Sequence, residues 1–130
     1  MNERRDLNIW PGVTYDDAAA ARRWLAGLGF EEGIVVPSED GGLIHHSEML
    51  WPDGGRVMVS SRGPEPGPFD VPPGAASCYV VVTDPDAVWE RARRLGAEVV
   101  REIREEDYGS RGFSLKDAEG NRWSFGTYAG

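Results

Sequence analysis

Apolar residues recur three or four positions apart in two stretches of the chain that lie 67 residues from each other. This spacing predicts two amphipathic helices, each packed on a core through one face. The apolar stripes consist of Ala21, Trp24, Leu25 and Leu28 in the first stretch and Val88, Ala92 and Leu95 in the second.

Capping residues predict where both helices begin and end. Asp16 or Asp17 precedes the first stripe, and Asp84, followed by a proline, precedes the second. Aspartate is a preferred N-cap, and proline fits the first helical position. Gly29 and Gly96 follow the stripes and are typical C-terminal stops.

Alternating or β-branched segments predict strands, with one strand before each helix and three after it. Turn sequences such as SEDGG, PDGG and DAEGN separate neighbouring strands. The predicted strands with defined bounds are Gly33–Pro37, Leu43–Trp51, Arg56–Ser61, Ser77–Val82, Glu98–Ile103, Gly112–Lys116 and Arg122–Tyr128.

The two halves of the chain resemble each other, which indicates an internal repeat. A shift of 67 residues pairs Gly29 with Gly96, and a shift of 66 pairs Arg56 with Arg122. We therefore expect one α+β domain built from two βαβββ modules. The expected modules span about 8–61 and 75–128, joined by a proline-rich linker at 62–74.

Composition narrows the classes of partner. The 130 residues include 14 basic and 22 acidic side chains, which gives a net charge of −8. This charge disfavours nucleic acid and anionic membranes, and it suits a cationic ligand. One cysteine, Cys78, excludes an internal disulfide and a cysteine-based zinc cluster. No apolar run approaches the length of a membrane span, so we expect a cytoplasmic protein.

The order of these elements resembles the vicinal oxygen chelate superfamily, which includes glyoxalase I, extradiol dioxygenases and bleomycin-resistance proteins. The segments that carry the resemblance are YDDAAAARRWLAGLGFE, IHHSEMLWPDGGRVMVSS and YGSRGFSLKDAEGNRWSFGTY. The resemblance implies that the modules form curved mixed sheets, two half-barrels with a concave ligand cleft. This cleft would hold a small organic molecule, commonly in a homodimer.

The resemblance also implies where a divalent metal would be held in the enzymes of this group. Their ligands are His, Gln or Glu on the first and last strand of each module. The matching positions here are Trp10, Met58, Ser77 and Ser124, none of which is an imidazole or a carboxylate. We therefore expect no metal or other cofactor, with a divalent metal as the alternative.

The segment HHSE carries the only two histidines of the chain. Strand alternation places His46 and Glu48 on one face and His45 on the other. Two interpretations stay open for the pair. They form an acid/base dyad or part of a metal site, or they are a polar pair that supports a strand or a dimer contact.

Strand alternation extends the predicted ligand face from the four matched positions to their neighbours. Aromatic residues there are expected to stack on a planar ligand, and arginines to hold an anionic group. Gly12, Thr14 and Ser60 share this parity, while Ile9 and the neighbouring valines are expected to face the helices. The predicted ligand-binding residues are Trp10, His46, Glu48, Arg56, Met58, Ser77, Tyr79, Arg122, Ser124 and Tyr128.

The sequence favours a metal-independent binding protein that sequesters an antibiotic or another planar metabolite. The alternative is a lyase or isomerase that uses His46 and Glu48, with or without a divalent metal. A subunit that binds a protein partner and no small molecule is a third hypothesis.

Overall fold

A computed structural model describes residues 8–130, and the chain divides into two compact units after Pro73. Each unit contains one helix and four strands. The first unit consists of β1 (Gly12–Tyr15), α1 (Ala18–Leu28), β2 (Glu31–Pro37), β3 (Ile44–Leu50) and β4 (Arg56–Ser61). The second consists of β5 (Ser77–Val81), α2 (Pro85–Leu95), β6 (Glu98–Glu105), β7 (Arg111–Lys116) and β8 (Arg122–Gly126).

The two sheets have the same connectivity, which confirms the repeated βαβββ pattern and the α+β fold. Their strand orders are β1-β4-β3-β2 and β5-β8-β7-β6. In each sheet the first and last strands of the unit pair in parallel, and the other neighbours are antiparallel. No helix among residues 8–130 has the length and apolar character needed to cross a bilayer.

The predicted capping residues begin and end both helices. Asp17, rather than Asp16, caps α1 by accepting a hydrogen bond from the backbone N–H of Ala20 at 3.0 Å. Asp84 caps α2 in the same way, through the N–H of Ala87 at 3.1 Å. Gly96 ends α2 in a left-handed conformation, with φ of 66°.

The helix of each unit covers one face of its sheet, and alternate strand residues form the core there. The fully or nearly fully buried side chains include Val13, Tyr15, Leu25, Val57 and Val59 in the first unit and Val88, Phe113, Leu115, Trp123 and Phe125 in the second. The predicted parity is therefore confirmed along β1, β4 and β8. The prediction that Ile9 faces the helix is wrong, because Ile9 precedes β1 and is 80% exposed to solvent.

Several strand bounds differ from those the residue pattern predicts. The strand predicted at 98–103 continues to Glu105, because the ladder still pairs Glu105 with Arg111. The last strand ends at Gly126 instead of Tyr128, where its pairing with β5 and β7 stops. These strand ends are decided by backbone pairing with a neighbouring strand. The β-propensity of single residues carries no information about that pairing.

A buried carboxylate fastens the hairpin between β7 and β8. Asp117 is 5% exposed. It accepts hydrogen bonds at 3.0 Å from the Trp123 indole N–H and from the backbone N–H groups of Glu119 and Asn121. The Asn121 side-chain oxygen in turn accepts hydrogen bonds from the backbone N–H groups of Gly74 and Ala76. One aspartate thus connects the turn, the core indole and the start of the second unit.

Replacing Asp117 by alanine is expected to lower the free energy of unfolding by about 3 kcal/mol, because it leaves several buried donors without an acceptor. Chemical denaturation followed by circular dichroism measures this loss. Asp53→Ala is the matched control, since it removes an exposed carboxylate from the corresponding β3–β4 turn. Equal losses in the two variants would contradict the role given to Asp117.

Candidate functional site

The face of the first sheet opposite α1 is built around one row of paired residues. Glu48 on β3 lies opposite Met58 on β4, and Met58 lies opposite Gly12 on β1. Directly paired residues share a face, so the Glu48 and Met58 side chains are neighbours. The structure therefore brings Glu48 to the same side as Met58, one of the positions that the sequence singled out.

The next row of this face carries imidazole and hydroxyl groups. Val36 on β2 lies opposite His46 on β3, and Thr14 on β1 lies opposite Ser60 on β4. His46 is two residues from Glu48 and therefore projects to the same side. The predicted common face of His46 and Glu48 is thus confirmed.

Glu48 is the electrostatic centre of this face, and its side chain is only 11% exposed. His46 Nε2 donates to Glu48 Oε2 at 2.8 Å, and Arg56 Nη1 donates to Glu48 Oε1 at 2.6 Å. The Arg56 guanidinium also lies over the Trp10 ring, 4.6 Å from its centroid. These contacts join four of the predicted ligand-binding residues, although Trp10 itself precedes β1.

The hydrogen bond from His46 and the adjacent Arg56 guanidinium lower the pKa of Glu48, and this effect outweighs the desolvation that would raise it. A carboxylate with a lowered pKa is a weak proton acceptor. Glu48 is therefore suited to orienting His46 and Arg56 rather than to removing a proton from a ligand.

A buried arginine supports Glu48 from the helix side. Arg22 on α1 is 4% exposed and donates to the carbonyl oxygens of Glu48 and Gly33 and to the Glu32 carboxylate. Gly33 lies so close to β3 that an added Cβ would lie 2.9 Å from the Glu48 carbonyl oxygen. The residue pattern did not single out Arg22, although its place on the apolar stripe between Ala21 and Leu25 was a signal for its burial.

A groove of about 860 Å³ opens on this face of the first unit. Its floor is formed by Gly12, Thr14, His46, Met58 and Ser60. Its wall is formed by residues 63–70, part of the segment that the sequence analysis treated only as a linker. Phe69 projects from this wall and is 92% exposed. An aromatic residue among five prolines was a signal for this second role.

The second unit presents an equivalent face with different side chains. Tyr79 on β5 lies opposite Ser124 on β8, which lies opposite Ser114 on β7. The hydroxyl oxygens of Ser114 and Ser124 are 2.7 Å apart. The Tyr79 hydroxyl donates to the carbonyl oxygen of Tyr128 at 2.7 Å, so this ring is already anchored within the unit.

A second row of this face contains Lys116, Arg122 and Ser77, paired in that order across β7, β8 and β5. The ten predicted ligand-binding residues are divided equally between the two units, five in each. Trp10, His46, Glu48, Arg56 and Met58 belong to the first unit, and Ser77, Tyr79, Arg122, Ser124 and Tyr128 belong to the second.

A model of the Glyoxalase/Bleomycin resistance protein/Dioxygenase superfamily matches residues 10–125. The chain belongs to this superfamily. An uncharacterized protein of Mycobacterium bovis is 30% identical to it in a 123-residue alignment, and the match covers 89% of this chain and 80% of that protein.

Solved structures of other proteins have the same fold. TioX from Micromonospora sp. ML1 superposes with a TM-score of 0.75 at 26% identity, covering 98% of this chain and 100% of that one. A glyoxalase/bleomycin resistance protein from Catenulispora acidiphila superposes with a TM-score of 0.65 at 25% identity, covering 93% of this chain and 97% of that one. The resemblance inferred from the sequence is therefore confirmed.

Membership of this superfamily implies a divalent metal for its enzymes. The side chains at the matching positions of this chain do not fit such an ion. Indole and hydroxymethyl groups are poor metal ligands, and the Met58 thioether is a soft ligand unsuited to a hard cation. Across residues 8–130, no group of three or more His, Cys, Asp or Glu side chains is arranged to hold a metal ion.

The lowered pKa of Glu48 predicts a specific pH dependence of stability. The ionised carboxylate stabilises the fold fully above the ordinary glutamate pKa of about 4.5, and this contribution is lost as the pH falls through the lower folded-state value. We expect Glu48→Gln to cost at least about 1 kcal/mol at pH 7 and progressively less below pH 4.5.

Urea denaturation of both proteins between pH 7 and pH 3 measures this difference. Glu31→Gln, at an exposed position of the neighbouring strand, controls for the loss of one negative charge. A cost of Glu48→Gln that stays constant across the whole pH range would refute the assignment.

Proposed function

We propose that the protein binds a planar small molecule without a metal, in the groove of the first unit. The observation that carries this proposal is the groove itself, with a floor of thioether, hydroxyl and imidazole groups and a wall that presents an aromatic ring. Its volume of about 860 Å³ lies in the range of pockets for organic ligands.

The lining favours a ligand with a flat apolar body and a few polar atoms. Met58 offers a polarizable surface on the floor, and Phe69 offers an exposed ring on the wall. His46 and Ser60 supply polar groups that can fix the orientation of the ligand. Sequestration of an antibiotic or a related planar metabolite agrees with this chemistry, and the superfamily includes bleomycin-resistance proteins.

The charge of Glu48 and its hydrogen-bond partners favour ligand binding over catalysis. Its negative charge is compensated on one side by Arg56 and on the other by its hydrogen bond with His46. Such an arrangement stabilises the ionised ground state of Glu48 rather than a transition state. Glu48 and His46 therefore act mainly to hold the floor of the groove in one geometry.

One contact favours an enzyme as the second candidate. His46 lines the groove, and Glu48 lies 2.8 Å from its Nε2 atom, within the range of a general acid/base dyad. A lyase or isomerase would use His46 to move the proton and Glu48 to orient the ring. The expected homodimer stays a prediction from the sequence.

Filling the groove is expected to weaken ligand binding strongly without unfolding the protein. Gly12 lies on the floor, and an added Cβ there would meet only the Met58 methyl carbon, at 3.8 Å. Gly12→Leu should therefore be accommodated and should weaken binding at least about tenfold. Ala19→Leu is the matched control, since it adds a leucine to the exposed side of α1.

The measurement is a thermal-shift screen with planar heteroaromatic compounds of positive, zero and negative charge, followed by calorimetry of those that bind. We expect at least one compound to raise the melting temperature of the wild-type and Ala19→Leu proteins but not of Gly12→Leu. Bound compounds should be recovered chemically unchanged. No thermal shift, or equal binding by Gly12→Leu, would overturn the proposal, and conversion that His46→Gln abolishes would establish the enzyme instead.

A further inference from the structure

The internal repeat allows one position of the two sheet faces to be compared directly. Arg56 on β4 corresponds to Arg122 on β8, as the shift of 66 residues predicts. In the adjacent row, Glu48 lies opposite Met58 in the first unit, and Ser114 lies opposite Ser124 in the second. Ser114 thus occupies the place in the second unit that Glu48 occupies in the first.

This exchange changes the electrostatic state of the two arginines. In the first unit, the Glu48 carboxylate compensates the Arg56 guanidinium at 2.6 Å. In the second unit Ser114 supplies no carboxylate, and Arg122 is exposed. Among the described residues no Asp or Glu forms an ion pair with Arg122, whereas the adjacent Lys116 is paired with Glu98 at 3.4 Å.

Hydroxyl groups surround the Arg122 position on the same face. Ser77 lies directly opposite Arg122 on β5, and Ser124 is two residues along β8. The hydroxyls of Ser124 and Ser114 lie 2.7 Å apart, and such a contact uses one of their two protons. The second proton is available to an acceptor that approaches this face.

We propose that this face of the second unit binds an oxyanion, a carboxylate or phosphate group, between Arg122 and the Ser114–Ser124 hydroxyl pair. The ligand oxyanion takes the place that the Glu48 carboxylate occupies in the first unit. A guanidinium binds such groups through charge-assisted and often bidentate hydrogen bonds. The site lies entirely within the second unit and does not depend on the groove of the first.

The test is a titration of the full chain, labelled with nitrogen-15, with inorganic phosphate in one arm and benzoate in the other. Saturable changes of backbone amide shifts are expected at Ser77, Ser114 and Ser124 with at least one probe. The two arms decide whether the site prefers phosphate or carboxylate. Gly12→Leu, which fills the groove of the first unit, should bind the preferred probe as the wild type does.

Variants of Arg122 separate a specific site from general charge attraction. Arg122→Gln should weaken binding at least about tenfold, and Arg122→Lys should lie between it and the wild type because lysine keeps the charge but loses the bidentate geometry. Arg94→Gln removes the same charge from the exposed side of α2 and should change affinity less than about twofold.

Ser114→Glu supplies an internal competitor. Glutamate at this position should pair with Arg122, as Glu48 pairs with Arg56, and should abolish anion binding while the fold is retained. The proposal is overturned if neither probe gives saturable shifts. It is also overturned if Arg122→Gln binds as the wild type does, or if Arg94→Gln weakens binding equally.

Discussion

A carboxylate with little access to water lies at the centre of the sheet face of the first unit, and the surrounding residues are arranged to compensate its charge. Burying an ionised group is costly unless it is paired and hydrogen-bonded. Arg56 and His46 supply these partners for Glu48, and Arg22 holds the carbonyl group of the same residue from the helix side. The positions of the imidazole and the guanidinium on this face therefore depend on one side chain.

The repeated fold preserves positions while the chemistry at those positions changes. Both sheets have the same strand order, and corresponding residues occupy corresponding rows. In the middle row, Glu48 and Met58 of one unit are replaced by Ser114 and Ser124 of the other. Glu48 is the one carboxylate among these four residues, and the thioether and the two hydroxyl groups do not complete the set of three or four donors that a metal site needs. The strand pairing at this row is therefore the same in both units, while the side chains that it brings together differ.

The residue pattern predicted those features that depend on local chemistry. Helix caps at Asp17 and Asp84 are local, and so is the alternation that places Val57 and Val59 on one face and Met58 on the other. Some features were missed because they depend on contacts between distant segments. The Arg56–Glu48 ion pair requires the register of a hairpin, and the burial of Arg22 requires the packing of α1 on two strands. The role of residues 63–70 as a groove wall likewise depends on where that segment lies, which composition does not specify.

We propose that ligand binding by this chain requires no metal, because the residues at the superfamily's metal positions lack suitable donors. Calorimetric titration of the metal-stripped, tag-free protein with Zn²⁺, Ni²⁺, Mn²⁺ and Fe²⁺ tests it most directly. The account predicts no stoichiometric binding, because the four positions hold indole, thioether and hydroxyl groups. Tight binding of about one metal ion per chain would contradict it.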